Sequence, residues 1–274
     1  GHIPGAVMFN FPQQDFLFTG DIHTVDTQLT RAAKPKPCKT LAIESTYGGR
    51  DHPDRGQIES ELVDSIEEVV NSGGKVILPS FGLGRSQELL MLTRNLGFEV
   101  WLDGMGRDMA RILQKYPGSI RDVSSMHKSI RQTNFVKYSR QRDIALNADV
   151  IVTTSGMLNG GPVLHYLSKL RKDPSSAVFL TGFQVPGTNG HLLKETGKIR
   201  LERDPKSPSF DIQCQFKAFD LSGHADHSQI VDFINGCNPE KVILYHGDNR
   251  ESFIDDLKDY ELVVPQENES IEIA

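Results

Sequence analysis

Short apolar runs rich in Val, Ile and Leu recur along the chain, each bounded by Gly, Pro or Asp. They are Leu41–Glu44, Lys75–Pro79, Glu99–Asp103, Asp149–Thr154, Ala177–Thr181 and Lys241–His246. Their length and near-continuous apolarity predict buried, mostly parallel strands. Between several of them the apolar positions switch to the helical period. Ile58, Leu62, Ile66, Val69 and Val70 form one stripe, ended by Gly73-Gly74; Val163, Leu164, Leu167 and Leu170 form another, opening near Pro162. Alternation of strand and helix predicts a layered α/β fold. One segment departs from the pattern. Ile212, Cys214, Phe216 and Ala218 alternate with period two, which predicts an antiparallel, half-exposed strand over 212–219. There is no internal repeat or low-complexity linker, and Lys34-Pro35-Lys36-Pro37 reads as a rigid turn.

The 274 residues suffice for one large domain or two interleaved ones. With 38% hydrophobic and 24% charged residues, the composition is that of a soluble globular protein. No stretch is long and apolar enough to span a bilayer, and the first residues show no basic-then-apolar leader, so no membrane partner is expected. Cys38, Cys214 and Cys237 lack C-x-x-C spacing, which points to a reducing cytoplasm rather than a disulfide or zinc-ribbon scaffold. A net charge of -6 exerts no global pull on nucleic acid, so any such binding rests on a local patch. The candidate is Arg121 to Arg142, with Lys128, Arg131, Lys137 and Arg140 and no acid between Asp122 and Asp143. Plain solvated surface is the other reading.

The chemistry-bearing residues sit beside the apolar runs. His2 precedes Ala6–Phe9, Asp21 ends Phe16–Thr19, Glu44 ends Leu41–Ile43, His224 follows Ala218–Leu221, and His246 ends Val242–Tyr245. Ligands of open α/β sheets gather outside the carboxyl ends of strands, so five such residues can converge on one cleft. Each alone reads more readily as a cap or turn former; the five together are harder to dismiss. His224 fits a turn bonded to Asp226, and His2 fits the remnant of a terminal tag. Ser155-Gly156-Met157 and the stretch from Gly182 to Gly190, which includes Thr188, lie at expected strand-to-helix turns. Backbone N–H groups there can hold a phosphate at a helix N-terminus, with Arg85 and His191 adding charge. Ordinary βα turns remain the alternative.

The order of Gly1-His2-Ile3-Pro4-Gly5, Thr19-Gly20-Asp21, Glu44-Ser45-Thr46-Tyr47-Gly48, Ser222-Gly223-His224-Ala225-Asp226 and His246-Gly247-Asp248 resembles a known family. This is the metallo-β-lactamase nucleases with a β-CASP insertion, which include RNase J and the nuclease subunit of the cleavage and polyadenylation specificity factor. Archaeal members are the most similar. Pro79 to Glu88, Thr154 to Leu158 and Gly182 to Thr188 resemble the family's further signatures, so the likeness runs along essentially the whole chain. It implies the C-terminal half of a metallo-β-lactamase αββα sandwich, formed by residues 1–48 and 219–274. A parallel-sheet β-CASP domain, residues 49–218, would be inserted between them.

The resemblance also implies zinc, two ions per complete site. His2 and His246 resemble metal ligands, Asp21 the carboxylate bridging the ions, and Glu44 and His224 a pair beside them. In the family that histidine is the candidate proton donor to the leaving oxygen. Ser155, Gly156, Met157, Arg85, Ser222, Gly223 and Thr188 are the expected RNA phosphate contacts. The implied activity is hydrolysis of RNA phosphodiesters by a zinc-activated water, in RNA processing, 3′-end formation or decay. A histidine at position 246 points to RNA rather than DNA, and endonuclease and exonuclease action both stay open. RNA is the expected partner; a homodimer and other RNA-processing subunits are further options. The superfamily's His-x-His-x-Asp-His signature is absent from these residues, and the chain opens inside a motif without a methionine. It is therefore expected to be the C-terminal portion of a longer enzyme, inactive alone. The alternatives are a non-catalytic β-CASP paralogue that binds RNA or a partner nuclease, and one half of a split enzyme.

Overall fold

A computed structural model describes residues 1–273. The chain divides into two compact units: Gly1–Pro53 together with Gly223 to the C-terminus, and Asp54–Ser222 between them. The first unit begins with β1 (Phe9–Phe11), β2 (Phe16–Phe18) and β3 (Thr40–Glu44). The second starts with α1 (Arg55–Asn71), β4 (Val76–Pro79), α2 (Arg85–Thr93), β5 (Val100–Asp103) and α3 (Gly106–Lys115). It continues through α4 (Val123–Gln132), β6 (Asn134–Phe135), α5 (Arg142–Ala145), β7 (Val150–Thr153) and α6 (Val163–Leu170). Then come β8 (Ala177–Leu180), α7 (Asn189–Thr196), β9 (Lys198–Arg200), β10 (Ser209–Asp211) and β11 (Gln215–Ala218). The chain returns to the first unit with α8 (His227–Cys237), β12 (Lys241–Tyr245) and β13 (Glu261–Val263).

The first unit is a five-stranded sheet in the order β1-β2-β3-β12-β13. β1 runs antiparallel to β2; the remaining pairs are parallel. Leu41, Ile43, Val242 and Leu244 pack in one buried cluster with Ile230, Phe233 and Ile234 of α8. That helix starts where it does because Asp226 and Gln229 cap it reciprocally. The Asp226 carboxylate accepts from the Gln229 N–H at 2.8 Å, and Asn238 ends the helix in the left-handed region. In the register of β3 on β12, Glu44 faces Tyr245, one residue before His246. The expected strand at Ala6–Phe9 is displaced. Its apolar residues lead into β1, an exposed edge strand, and His2 sits in a loop well ahead of it.

The second unit holds a six-stranded sheet in the order β11-β8-β4-β7-β5-β6, with a separate β9–β10 hairpin. All pairs of the larger sheet are parallel, and every residue of β4, β5, β7 and β8 is buried. This explains their unbroken apolar runs. The direction expected for 212–219 is overturned: β11 lies parallel to β8, Gln215 opposite Ala177 through Ala218 opposite Leu180. Period-two alternation reports the wetness of a strand's faces. An exposed edge strand shows it whichever way the strand runs. Buried within this unit, Glu88 pairs with both Arg55 and Arg85, and Arg55 also binds Glu59 at 2.8 Å. Among the described residues no helix is long and apolar enough to cross a membrane.

Candidate metal centre

The carboxyl ends of β2, β3 and β12 lie side by side because these strands are parallel neighbours. They deliver Asp21, Glu44 and His246 to one place, and the loops around Gly1 and Gly223 add His2 and His224. Asp21 stands in the middle. Its Oδ2 is 3.8 Å from His2 Nε2 and its Oδ1 is 3.9 Å from His246 Nε2. The His224 ring centroid is 4.3 Å from that of His2 and 5.8 Å from that of His246. Ligand atoms of His2, Asp21 and His224 all lie within 4.8 Å of one another, a spacing that can hold a metal ion.

Glu44 is fully buried, so its charge must be met inside the protein. His224 Nδ1–H donates to it at 2.8 Å, the Ile22 N–H donates at 2.7 Å, and the Thr46 hydroxyl also donates. Burial alone would raise this carboxyl; the hydrogen bond and charge of His224, then Thr46 and Ile22, bring it below its ordinary range. Burial likewise disfavours a charged His224, but the hydrogen bond and charge of Glu44 outweigh it and hold the ring above its usual value. With Nδ1 engaged, Nε2 is the atom His224 has left to offer, as a proton donor when the ring is charged and as a ligand when it is neutral.

His2 is oriented differently. Its Nδ1–H donates to the Gly223 carbonyl at 2.9 Å, which turns Nε2 toward Asp21. Burial, then the neighbouring His224, lowers its pKa and favours the neutral ring that metal ligation requires. Gly223 has a steric reason to be glycine. A Cβ there would lie 3.1 Å from the His2 carbonyl oxygen and 3.2 Å from Nδ1. Asp21 is held from behind by Tyr245, whose hydroxyl donates to the Gly20 carbonyl at 3.0 Å.

Sequence reasoning missed Gly223, Thr46, Ile22 and Tyr245 as supports of this cluster. Thr46 alone carried a readable signal, since it stands two residues past Glu44 in the turn that follows β3. The others act through backbone groups or across the sheet, and no local pattern announces that.

The expected phosphate contacts fall in different settings. The N-terminus of α7 is closed by the protein itself. Asn189 N–H donates to Asn159 Oδ1, Gly190 N–H to the Met157 carbonyl, and His191 N–H to the Thr188 hydroxyl that caps the helix. No first-turn donor is left there for a phosphate. Arg85 is buried and paired with Glu88. The Ser222 carbonyl accepts from Arg55 at 3.1 Å, and the Gly223 carbonyl is taken by His2. In the turn after β7 the Ser155 N–H closes onto the Gly160 carbonyl, whereas the N–H groups of Gly156 and Met157 enter no backbone hydrogen bond.

Comparison with known proteins agrees with this architecture. Residues 85–193 match the family described as the Beta-Casp domain, and residues 209–261 match the Zn-dependent metallo-hydrolase RNA specificity domain. The probable RNase MJ4 of Methanocaldococcus jannaschii is 34% identical over 268 residues, covering 93% of this chain and 62% of that protein. The RNase aCSPSF2 of Saccharolobus solfataricus is 34% identical over 287 residues, covering 100% of this chain and 57% of that protein. The transcription termination factor FttA of Methanocaldococcus jannaschii is 32% identical, with 90% of this chain and 44% of that protein covered. The chain therefore spans about three-fifths or less of the length of these curated relatives. These matches relate the chain to the β-CASP group of the metallo-β-lactamase superfamily.

Proposed function

We propose that this chain supplies the Asp21, His2 and His246 ligands, and the His224–Glu44 pair, of a two-zinc ribonuclease that hydrolyses RNA phosphodiester bonds. The observation that carries the reading is Asp21, with an imidazole Nε2 facing each of its two oxygens at 3.8 and 3.9 Å. These gaps are too long for hydrogen bonds. They lie near the separation of two ligands on one zinc, about 3.3 Å for bonds of about 2.0–2.1 Å at a tetrahedral angle. The donor set of imidazole nitrogen and carboxylate oxygen suits zinc, and a relaxation of about half an ångström would close it. Asp21, His2 and His246 would together hold the zinc, with Asp21 between the two imidazoles. When bound, the metal pair supplies Lewis-acid stabilisation of the phosphodiester and lowers the pKa of water.

The remaining roles belong to the protein's own groups. Glu44 holds the Nδ1–H of His224, so the charged ring presents its other proton from Nε2 to the departing oxygen. We assign His224 the proton donor's role rather than a third ligand's, with Glu44 holding its Nδ1–H and leaving Nε2 to act. Gly156 and Met157 N–H groups are the phosphate contacts we retain, the Ser155 hydroxyl being donated to the Gly160 carbonyl at 3.2 Å. The His246 imidazole and the relatives named as RNases favour RNA as substrate. Three buried free cysteines suit a reducing cytoplasm.

The test measures zinc content and cleavage of end-labelled RNA, with this chain and with the longest native polypeptide that contains it. Two zinc ions and cleavage, both lost on Asp21→Ala, are expected for the longer polypeptide. Metal-free, inert protein that still binds RNA would replace this reading with that of a non-catalytic paralogue.

A further inference from the structure

The basic stretch between Asp122 and Asp143 has no part in the site above, yet its end reaches a distinctive surface. β4, β7, β5 and β6 are parallel neighbours in the second unit, so the residues following them line one sheet edge. Three large side chains stand open there: Phe81 after β4 (45% exposed), Met105 after β5 (62%) and Tyr138 after β6 (61%). They are not scattered. Met105 lies directly over Gly82, where an added Cβ would meet its Cβ and Cγ at 3.1 Å, so it adjoins Phe81. Arg107, two residues beyond Met105, donates to the carbonyls of Val136 at 2.8 Å and Lys137 at 3.4 Å, fastening the Tyr138 loop to the start of α3. The Arg140 guanidinium sits 5.4 Å over the Tyr138 ring. Lys137 and Arg140 are both exposed. Arg142, by contrast, is tied through its Nε to the buried Asp103 at 2.7 Å.

Apolar faces interleaved with free cations are what a single-stranded nucleic acid needs, since unpaired bases stack and the phosphates between them require positive charge. We propose that this edge, from Phe81 through Met105 to Tyr138, is a stacking track for single-stranded RNA, with Lys137 and Arg140 as its phosphate contacts. The inference rests on the reading that the chain acts on RNA, and it adds a strand-binding surface outside the metal centre. The track reads no sequence, because any base has a face to stack.

The test is binding of a fluorescent single-stranded uridylate 20-mer to the whole chain in EDTA, so that binding is scored apart from cleavage. Tyr138→Ala should weaken binding about tenfold while Tyr138→Phe retains it, because the ring and not the hydroxyl is used. The doubly substituted Lys137→Ala, Arg140→Ala chain should lower the slope of log affinity against log salt by about 1.4, two phosphate contacts at about 0.7 each. A duplex of the same length should show no dependence on Tyr138, its bases being already stacked. Thermal melting serves as the folding control, and an exposed tyrosine should leave it unmoved. Unchanged single-strand binding by folded Tyr138→Ala, or an equal loss on the duplex, would overturn the track whatever the cleavage assay shows. Loss of binding as expected, alongside a metal-free and inert longer polypeptide, would leave the track standing and remove the nuclease reading.

Discussion

His224 Nδ1 and the Glu44 carboxylate are joined at 2.8 Å, one on the loop before α8 and the other at the buried end of β3. The bond occupies Nδ1, leaves Nε2 to act, and favours the ring's charged form. It separates the two tasks a histidine can perform beside a metal.

Replacing His224 by alanine should therefore leave zinc content nearly intact while turnover on RNA falls about 10²–10⁴-fold. Metal analysis and single-turnover cleavage on the same preparation check this. Parallel loss of metal and activity would make His224 a ligand.

The pair also sets a pH dependence of stability in the metal-free protein. Glu44 is held below its ordinary value of 4.5, so its contribution is present above 4.5 and fades as pH falls through the lowered value. His224 is held above 6.5, so its contribution is complete below 6.5 and fades as pH rises through the raised value. Together they stabilise most between those two ordinary values. Glu44→Gln should cost about 3 kcal/mol there and less in alkali, as seen by urea unfolding in EDTA. A cost independent of pH would contradict the assignment.

Gly223→Ala tests the support of His2. The added methyl must displace either the His2 carbonyl or its ring, 3.1 and 3.2 Å away. Zinc affinity should drop about 10–100-fold by competition titration while the fold is kept. Wild-type affinity would mean that the loop yields at no cost.

The cysteines give a prediction independent of the centre. Burial pushes the Cys38 and Cys214 thiols up to about 11, and raises Cys237 as well. At pH 8 only about one Cys38 or Cys214 in a thousand is thiolate, so native protein should resist iodoacetamide, and the unfolded chain should take up three equivalents. Stoichiometric labelling of native protein at that pH would show that these side chains open readily.

The strands and helices of the second unit were legible because their apolar periods report burial directly. Val76–Pro79 and Val150–Thr153 are buried on both faces and read as unbroken runs, and the stripe of Leu62, Ile66 and Val69 became the inner face of α1. Exposure patterns carry no direction, so the alternation that predicts an antiparallel strand over 212–219 is met by the parallel edge strand β11. Arg85 and Thr188 were read as free for a phosphate because sequence spacing does not show that Glu88 and the His191 N–H already engage them.

The residue types at the centre, a carboxylate and imidazoles beside strand ends, are legible along the chain because local backbone requirements and side-chain chemistry are written in adjacent residues. Their pairing comes from the folded arrangement. That His2 leans on the Gly223 carbonyl, that His224 takes Glu44, and that Asp21 shows one oxygen to His246 are contacts across about 200 residues of chain, while His2 meets the other oxygen from the same N-terminal segment. Parallel strand order sets them, and no local pattern contains it.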